Sequence, residues 1–544
     1  MASNSRGRAW KQCNWEFHRQ YQRFLRNLRV ASRRNLIHNK LLPLPLTSLT
    51  LQTFHHENIV CEYVKYCNKQ VSSLRENRTW RSMSDVFLSG ALIVSTTITV
   101  LFLLAPSRYV QHSHHRASQK ASSDIPEISV QVLVLGDIGR SPRMQYHAMS
   151  IAKHGGRVEI IGYLDSAVHP ELVASPDVTI IPIPQPLRIF GFSWIPFVIA
   201  GPLKVLWQFF VLSYALSYRT KPTRWLLVQN PPAIPTLLIA LFICFVRNTH
   251  LIIDWHNYGW SILAGTKGPK HPFVQMHKYY ESTLGNWAPT ANFTVSDAMR
   301  RQLKNPPYNI CTPILTLHDR PPDIFQPIEC IEARKAFLKH LPETATHAQE
   351  IISGDTKLLV SSTSWTPDED LNLLLEALCN YTASQRQLPS ILVVITGKGP
   401  QKQDYIDRIK ILTSTGKLKN ITIRTAWLSI ESYASLLSVA DLGVCLHMSS
   451  SGVDLPMKVV DMFGAGLPVV GYDAYESWQE LVKEGENGRG FHTSEALSSI
   501  LQELFSEKDG SQLAVLKRGA LKEGKKRWDD TWNEVAGRVL GLCD

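Results

Sequence analysis

With 544 residues, 44% hydrophobic and 19% charged, the chain has room for more than two ordinary domains and the composition of a folded globular protein, which excludes a fibrous or low-complexity polymer. Its formal charge of +12 suggests a nucleic-acid partner, but residues 1–85 hold 15 Lys and Arg against 5 Asp and Glu, so the rest is nearly neutral and no nucleic acid is expected. Nine cysteines without CxxC pairs or zinc spacing exclude a disulfide scaffold and a zinc module, and point to reduced thiols in a cytosolic environment.

The first 82 residues have no hydrophobic period. Their Arg-rich, acid-poor run from Arg19 to Arg34 fits a targeting presequence, a polybasic segment near a membrane, or sequence upstream of the functional start. Met83 stands directly before the next segment, and we expect it to be a start; residues 1–85 are read as a basic, disordered extension. Residues 86–105 (VFLSGALIVSTTITVLFLLA) are uncharged and long enough to cross a bilayer as one helix, and they are longer than the apolar core of a signal peptide. Arg108, Arg116 and Lys120 follow this anchor, so with a start at Met83 the positive flank places the large C-terminal part in the cytosol. Residues 106–128 read as a polar linker, in which His112, His114 and His115 form a solvated tail rather than a metal site.

From residue 129 to 316 apolar strands alternate with helices: Ser129–Leu135, Arg157–Tyr163, Val178–Pro182, Arg224–Gln229, His250–Trp255 and Ala291–Ser296. Repeated strand–helix units imply a parallel, doubly wound sheet whose ligands sit beyond the strand C-termini. That rule points to Gly136–Ser141, Gln229–Pro232 and Asp254–Gly259. The glycine turn is not GxGxxG, so a dinucleotide is not expected. Asp254 and His256, two residues apart at a strand's end, can deprotonate or orient a hydroxyl. Two stretches are unusually apolar. Phe192 to Leu216 reads as a surface-dipping amphipathic segment, the alternative being a buried crossover helix, while Pro235 to Val246 suits a core helix.

Proline density marks residues 317–356 as an interdomain linker, and a second α/β unit fills 357–544, its last helix free to return to the first domain. Leu358–Ser362 leads through Ser364 and Trp365 to Asp368-Glu369-Asp370; three acids opening a helix are expected from capping, and no metal site is assigned. Ile391–Thr396 ends in Gly397-Lys398-Gly399, where lysine and bare backbone could meet a phosphate. Strand Ile421–Ala426, helix Ser432–Val439 and strand Leu442–Leu446 then lead to Ser449–Gly471. There Ser450, Ser451 and Gly452 form a loop of small residues, a helix starts near Pro456, and Lys458 and Asp461 lie on its adjoining turns.

Together Gly136–Tyr146, Gln229–Pro232, Ile253–Asn257, Ser361–Asp370 and Ser449–Gly471 resemble the GT-B glycosyltransferases, and among them the endoplasmic-reticulum chitobiosyldiphosphodolichol beta-mannosyltransferase family. The resemblance covers residue 86 to the C-terminus. It implies an α/β GT-B fold of two Rossmann-like domains facing a cleft, behind one N-terminal transmembrane helix. It implies a GDP-mannose donor, a dolichol-diphosphate-linked GlcNAc2 acceptor, a β-1,4 product formed with inversion, no cofactor, and an endoplasmic-reticulum membrane location with the catalytic part cytosolic. Other transferases of the same pathway are candidate partners. Inversion needs a base, for which Asp254 or His256 and then Asp137 are the candidates. Ser364, Trp365, Gly397, Lys398, Gly399, Ser450, Ser451, Gly452, Asp454, Lys458 and Asp461 are expected at the donor, and Gly139, Arg140 and Asn257 at the acceptor. Related soluble retaining mannosyltransferases carry two glutamates eight positions apart; here Asp461 stands at the second and Val453 at the first, with Asp454 one residue late. A membrane transferase acting on another polyprenyl acceptor, or a non-catalytic nucleotide-sugar-binding subunit, are the alternatives.

Overall fold

In a computed structural model the residues described are Leu92, 94–97, Thr99, 106–110, 128–186, 197–287, 289–506 and 510–544. Of the expected anchor, the described residues Leu92, 94–97 and Thr99 are helical; its remainder, residues 1–85 with Met83, and linker residues 111–127 lie outside the described residues. Residues 104–544 form one unit and carry both sheets.

The first sheet has seven parallel strands in the order β3-β2-β1-β4-β5-β6-β7. They are β1 Ser129–Asp137, β2 Arg157–Tyr163, β3 Val178–Pro182, β4 Trp225–Asn230, β5 His250–Trp255, β6 Ala291–Thr294 and β7 Ile314–Thr316. The second sheet runs β10-β9-β8-β11-β12-β13, with β8 Thr356–Ser362, β9 Ser390–Thr396, β10 Ile421–Ala426, β11 Leu442–Cys445, β12 Val469–Tyr472 and β13 Gly488–Phe491. The continuous apolar runs become central strands because helices cover both faces, leaving no polar face to alternate with. Each order reverses beside the first strand of its sheet, which opens a crevice at the strand C-termini. The sequence missed β7 and β13, three and four residues long; they carry too little periodicity to be told from loop.

The segment 317–356 is not bare chain. It contains helices Ile331–His340, Pro342–Ala345 and Ala348–Ser353, and it buries Leu338, Leu341 and Ile351 in the core under the second sheet. At the C-terminus the chain crosses back: Trp528, Trp532, Ala536 and Leu540 pack with Val130, Val132, Met144 and Ile151 of the first domain.

Helix α1 (Pro142–Lys153) follows β1. Helix α2 (Phe197–Tyr214) continues as a π-turn to Arg219, and only 17% of its most apolar window is buried, so a buried crossover is excluded. Leu203, Leu206, Phe210 and Tyr214 are exposed. Beside it, helix α3 (Thr236–Arg247) is a core helix on one side only: Leu237, Ala240 and Ile243 are buried, while Leu238 and Phe242 face out. Arg247 ends α3 fully buried. It donates through Nε to the Ser107 carbonyl at 3.1 Å and through Nη2 to the Thr220 carbonyl at 2.9 Å, while Tyr109 N–H donates to the Arg247 carbonyl at 2.7 Å. The chain just after the apolar run 86–105 is thereby pinned to the first domain.

Candidate active site

Proline at the first position of α1 starts the helix directly after the glycine turn, and that start turns Arg143 and His147, one turn apart, toward the C-terminal end of β5. Both side chains converge on Asp254, which is 0% exposed. Arg143 clasps it bidentately, Nε to Oδ2 at 2.8 Å and Nη2 to Oδ1 at 2.9 Å, and sends Nη1 to Asp319 and the Leu317 carbonyl, both at 2.8 Å. His147 Nε2 lies 3.2 Å from Asp254 Oδ2, and His147 Nδ1 accepts from the Trp532 indole at 3.0 Å. An indole N–H only donates, so the His147 proton sits on Nε2 and points at Asp254. Burial alone would raise the Asp254 pKa, but Arg143, together with His256 and His147, outweighs it and holds the carboxyl well below the usual range. Burial keeps His147 below its ordinary value, hence neutral near pH 7.

His256 presents Nε2 to Asp254 Oδ2 at 2.9 Å and is partly exposed, at 22%. An ionised carboxylate can only accept, so His256 carries a proton on Nε2, and Nδ1 is the ring nitrogen outside that bond. Asn257 Nδ2 donates to Ser450 Oγ across the cleft at 3.3 Å, and Ser261 Oγ is 3.2 Å from the same hydroxyl. The structure thus joins Asp254, His256, Asn257 and Ser450 in one patch. Asp137 stands apart from it. Its Oδ1 accepts the N–H groups of Gly139, Asp165 and Ser166 at 3.1–3.3 Å, and exposed Arg140 lies 3.5 Å from its Oδ2. Gly139 is required there, since a Cβ would stand 2.6 Å from the Ala167 carbonyl.

On the donor side, Gly397 and Gly399 let the loop after β9 lie against the loop after β8: a Cβ on either would come within 1.8 Å of the Thr363 or Ser364 carbonyl. Trp365 is buried beneath that contact with a positive φ of 51°. Lys398 Nζ sits 4.1 Å above the Trp427 ring. The acids at 368–370 divide their work. Glu369 is buried, pairs with Lys458, and accepts from Thr363 Oγ1 and Ser364 N–H at 2.6 Å, whereas Asp370 caps helix α7 (Leu371–Thr382) through Asn372 N–H.

The serine loop is braced from inside. Asp454 accepts His447 Nε2 at 2.9 Å, the Ser449 hydroxyl, and the Ser451 hydroxyl at 3.1 Å, and Gly452 N–H donates to Ser449 Oγ at 2.8 Å. These bonds leave Ser450 turned outward. Helix α8 (Met457–Gly464) follows with Pro456 as its N-cap. Burial pushes the Lys458 ammonium down to about 8, with Asp368 opposing. Burial, with Asp319 adding like charge, raises the carboxyl of half-buried Asp461 well above its usual range. Val453 is fully buried in the core of the first domain, and its carbonyl accepts the Ser296 hydroxyl. A cavity of about 710 Å³ between the domains is walled by Tyr146 and Trp528 on one side and Ile430 and Glu431 on the other.

Arg143, His147, Asp319 and Trp532 escaped the sequence reading. Arg143 and His147 did leave a signal: two basic residues at i and i+4 on the face that also carries Met144, Ala148 and Ile151. The carboxylates of Asp297 and Glu480 and the His318 imidazole come within 4.8 Å of one another. Glu480 already accepts the N–H groups of Asp297 and Ala298, both at 2.6 Å, which makes the cluster a seam between domains rather than a ligand set.

Residues 355–507 match the family model described as glycosyl transferases group 1. A chitobiosyldiphosphodolichol beta-mannosyltransferase of Arthroderma benhamiae is 48% identical over 80% of this chain and 96% of that one, and its namesake in Yarrowia lipolytica is 39% identical over 82% and 94%. The chain belongs to the chitobiosyldiphosphodolichol beta-mannosyltransferase family. It is a hexosyltransferase. The GT-B fold of this family member is also seen in its likeness to the Anabaena protein HepE, whose structure with UDP and glucose is 14% identical, covers 76% of this chain and 100% of that one, and superposes with a TM-score of 0.54. In this mannosyltransferase the Asp254 patch lies on the first domain and the braced serine loop on the second, facing each other where the two sheets end.

Proposed function

We propose that the enzyme moves mannose from GDP-mannose to dolichol-diphosphate-linked GlcNAc2 with inversion, using His256 as the base and Asp254 as its orienting carboxylate. The observation that carries this reading is the saturation of Asp254: with Arg143 and two imidazoles on it, it has no capacity to take a proton, while the bond of His256 to Asp254 uses Nε2 and not Nδ1, and the next residue, Asn257, reaches Ser450. In the step, Nδ1 removes the proton of the acceptor O4 hydroxyl as that oxygen bonds to mannose C1. The bond from C1 to the diphosphate breaks on the opposite face, and GDP leaves with its electron pair. The imidazolium that results lies against ionised Asp254. Lys458, Lys398 and the small-residue loop at Ser450–Gly452 counter the leaving diphosphate, and Asp461 faces the ribose. Asp137, engaged with three amides, belongs to the acceptor-side turn with Gly139 and Arg140.

A membrane-borne acceptor fits the apolar surface of α2 and α3, where Leu203, Leu206, Phe210, Leu238 and Phe242 would lie in the interfacial layer of the endoplasmic-reticulum membrane. The six described cysteines are free thiols, in keeping with a cytosolic catalytic part. Purified protein is to be assayed with GDP-mannose and a short-chain lipid-linked chitobiose, with UDP-sugars as controls. Mannose transfer is expected; GDP binding without transfer would favour a binding subunit. His256→Ala should lower kcat by about 10²–10⁴-fold with GDP affinity retained, and unchanged turnover would remove the base assignment.

A further inference from the structure

Beneath the loop that carries His256 lies another buried carboxylate. Glu281, on helix α5 (Pro272–Trp287), is 0% exposed. Its Oε1 accepts Asn230 Nδ2 at 2.6 Å and Gly259 N–H at 3.2 Å, and its Oε2 accepts Trp260 N–H at 3.4 Å. Gly259 and Trp260 open helix α4 (Gly259–Lys267), whose positive end faces the carboxylate. On the other side, the main-chain carbonyl of Asn230 accepts His256 N–H at 2.8 Å. One carboxylate therefore holds both ends of the segment that bears His256, Asn257 and Ser261. Its basic neighbour among the described residues is His277, which burial keeps below its ordinary pKa and so neutral near pH 7. A buried charge so placed is a costly choice for a structural spacer, at several kcal/mol, and what it offers is acceptor capacity toward three donors at once.

We infer that Glu281 is a positioning residue for the transfer step, fixing the height and rotation of the His256–Ser261 loop so that the base and the Ser450 contact stay in register. The inference rests on the assignment of His256 proposed above. The titratable groups facing Glu281 are His277 on its own helix, with Nδ1 at 3.7 Å, and Tyr258 and Tyr308. Burial lifts its carboxyl to about 7, against which the Asn230, Gly259 and Trp260 bonds act. Its acceptor-only form is thus given up just below neutrality.

Glu281→Gln in the full chain tests this, because the amide nitrogen turns a donor toward N–H groups. The expected result is a fall in kcat of about tenfold or more with the donor KM within about twofold, as for a group acting through the reacting loop rather than on the ligand. Hydrogen exchange of the Gly259 and Trp260 amides should quicken by about tenfold, with the second sheet unchanged. Wild-type kcat, or faster exchange spread evenly through the first sheet, overturns the inference. Should Glu281→Gln not fold, Asn230→Ser removes one arm and must give the same split between kcat and KM; an unaltered kcat there overturns it equally. If even the wild-type protein transfers no mannose, the reaction reading has failed, and the exchange comparison alone decides whether Glu281 holds the loop.

Discussion

Three aspartates of similar promise in the sequence have different fates. Asp254 is held ionised by Arg143, Asp454 is consumed inside its own loop, and Asp461 is pushed toward its neutral form by burial and by the like charge of Asp319. The spacing of the residues carries none of this, because each outcome depends on which distant side chain arrives. Lys458 offers a pH test. Its ammonium is charged below about 8 and neutral above. If it faces the diphosphate, GDP affinity should fall by about tenfold (~1.4 kcal/mol) between pH 7 and pH 9. Lys458→Arg, whose guanidinium keeps its proton, should flatten that dependence in a calorimetric titration; a slope unchanged in the variant would assign it elsewhere. The lysine's effect on stability runs the opposite way. A lowered folded-state pKa makes stability grow with pH from about 8 toward the ordinary lysine value of 10.5, since only the unfolded chain binds the proton in that window.

At the scale of elements, α1 sets the polar support of the site and the pair α2–α3 the apolar surface. Helix α1 brings two basic residues under β5 because proline fixes where it begins, and a start one residue later would rotate Arg143 and His147 by about 100° away from Asp254. Helix α3 ends on Arg247, whose guanidinium satisfies carbonyls from two separate segments, at Ser107 and Thr220. Arg247→Ala should destabilise the protein by about 3 kcal/mol, the cost of stripping a charged donor from buried carbonyls, visible as a lowered Tm. An unchanged Tm would mean that water replaces the guanidinium. The apolar runs of α2 and α3 were legible in sequence, and α2 was expected at the surface, but the outward-facing share of α3 was not legible, because composition does not reveal which neighbours cover a helix.

At the scale of the molecule, the two sheets are joined by more than a hinge. Glu480 caps helix α6 (Asp297–Lys304) of the first domain, Arg301 pairs with Glu476 at 2.8 Å, Val453 is sealed in the first domain's core, and the C-terminal tryptophans return to α1. In the resemblance to soluble retaining mannosyltransferases, position 453 corresponds to a glutamate. Val453→Glu should therefore bury an unpaired charge and cost about 3–5 kcal/mol in a denaturation experiment. A stable variant with altered sugar binding would show that this position opens to the cleft.

The alternation of apolar runs determined two parallel sheets and most strand limits, because a strand covered on both faces must be apolar throughout: β2, β3, β5 and β10 coincide with their sequence spans residue for residue. The motifs at Asp254–Asn257 and Ser449–Gly471 located the two walls of the cleft. The sequence could not determine which ring nitrogen or carboxylate oxygen at Asp254–His256 is already engaged, or that Glu281, Arg143 and Trp532 support the patch, Arg143 from 111 residues before Asp254 and Trp532 from 385 residues beyond His147. Those assignments depend on burial and on hydrogen-bond partners supplied by other elements, and only the tertiary structure brings these together.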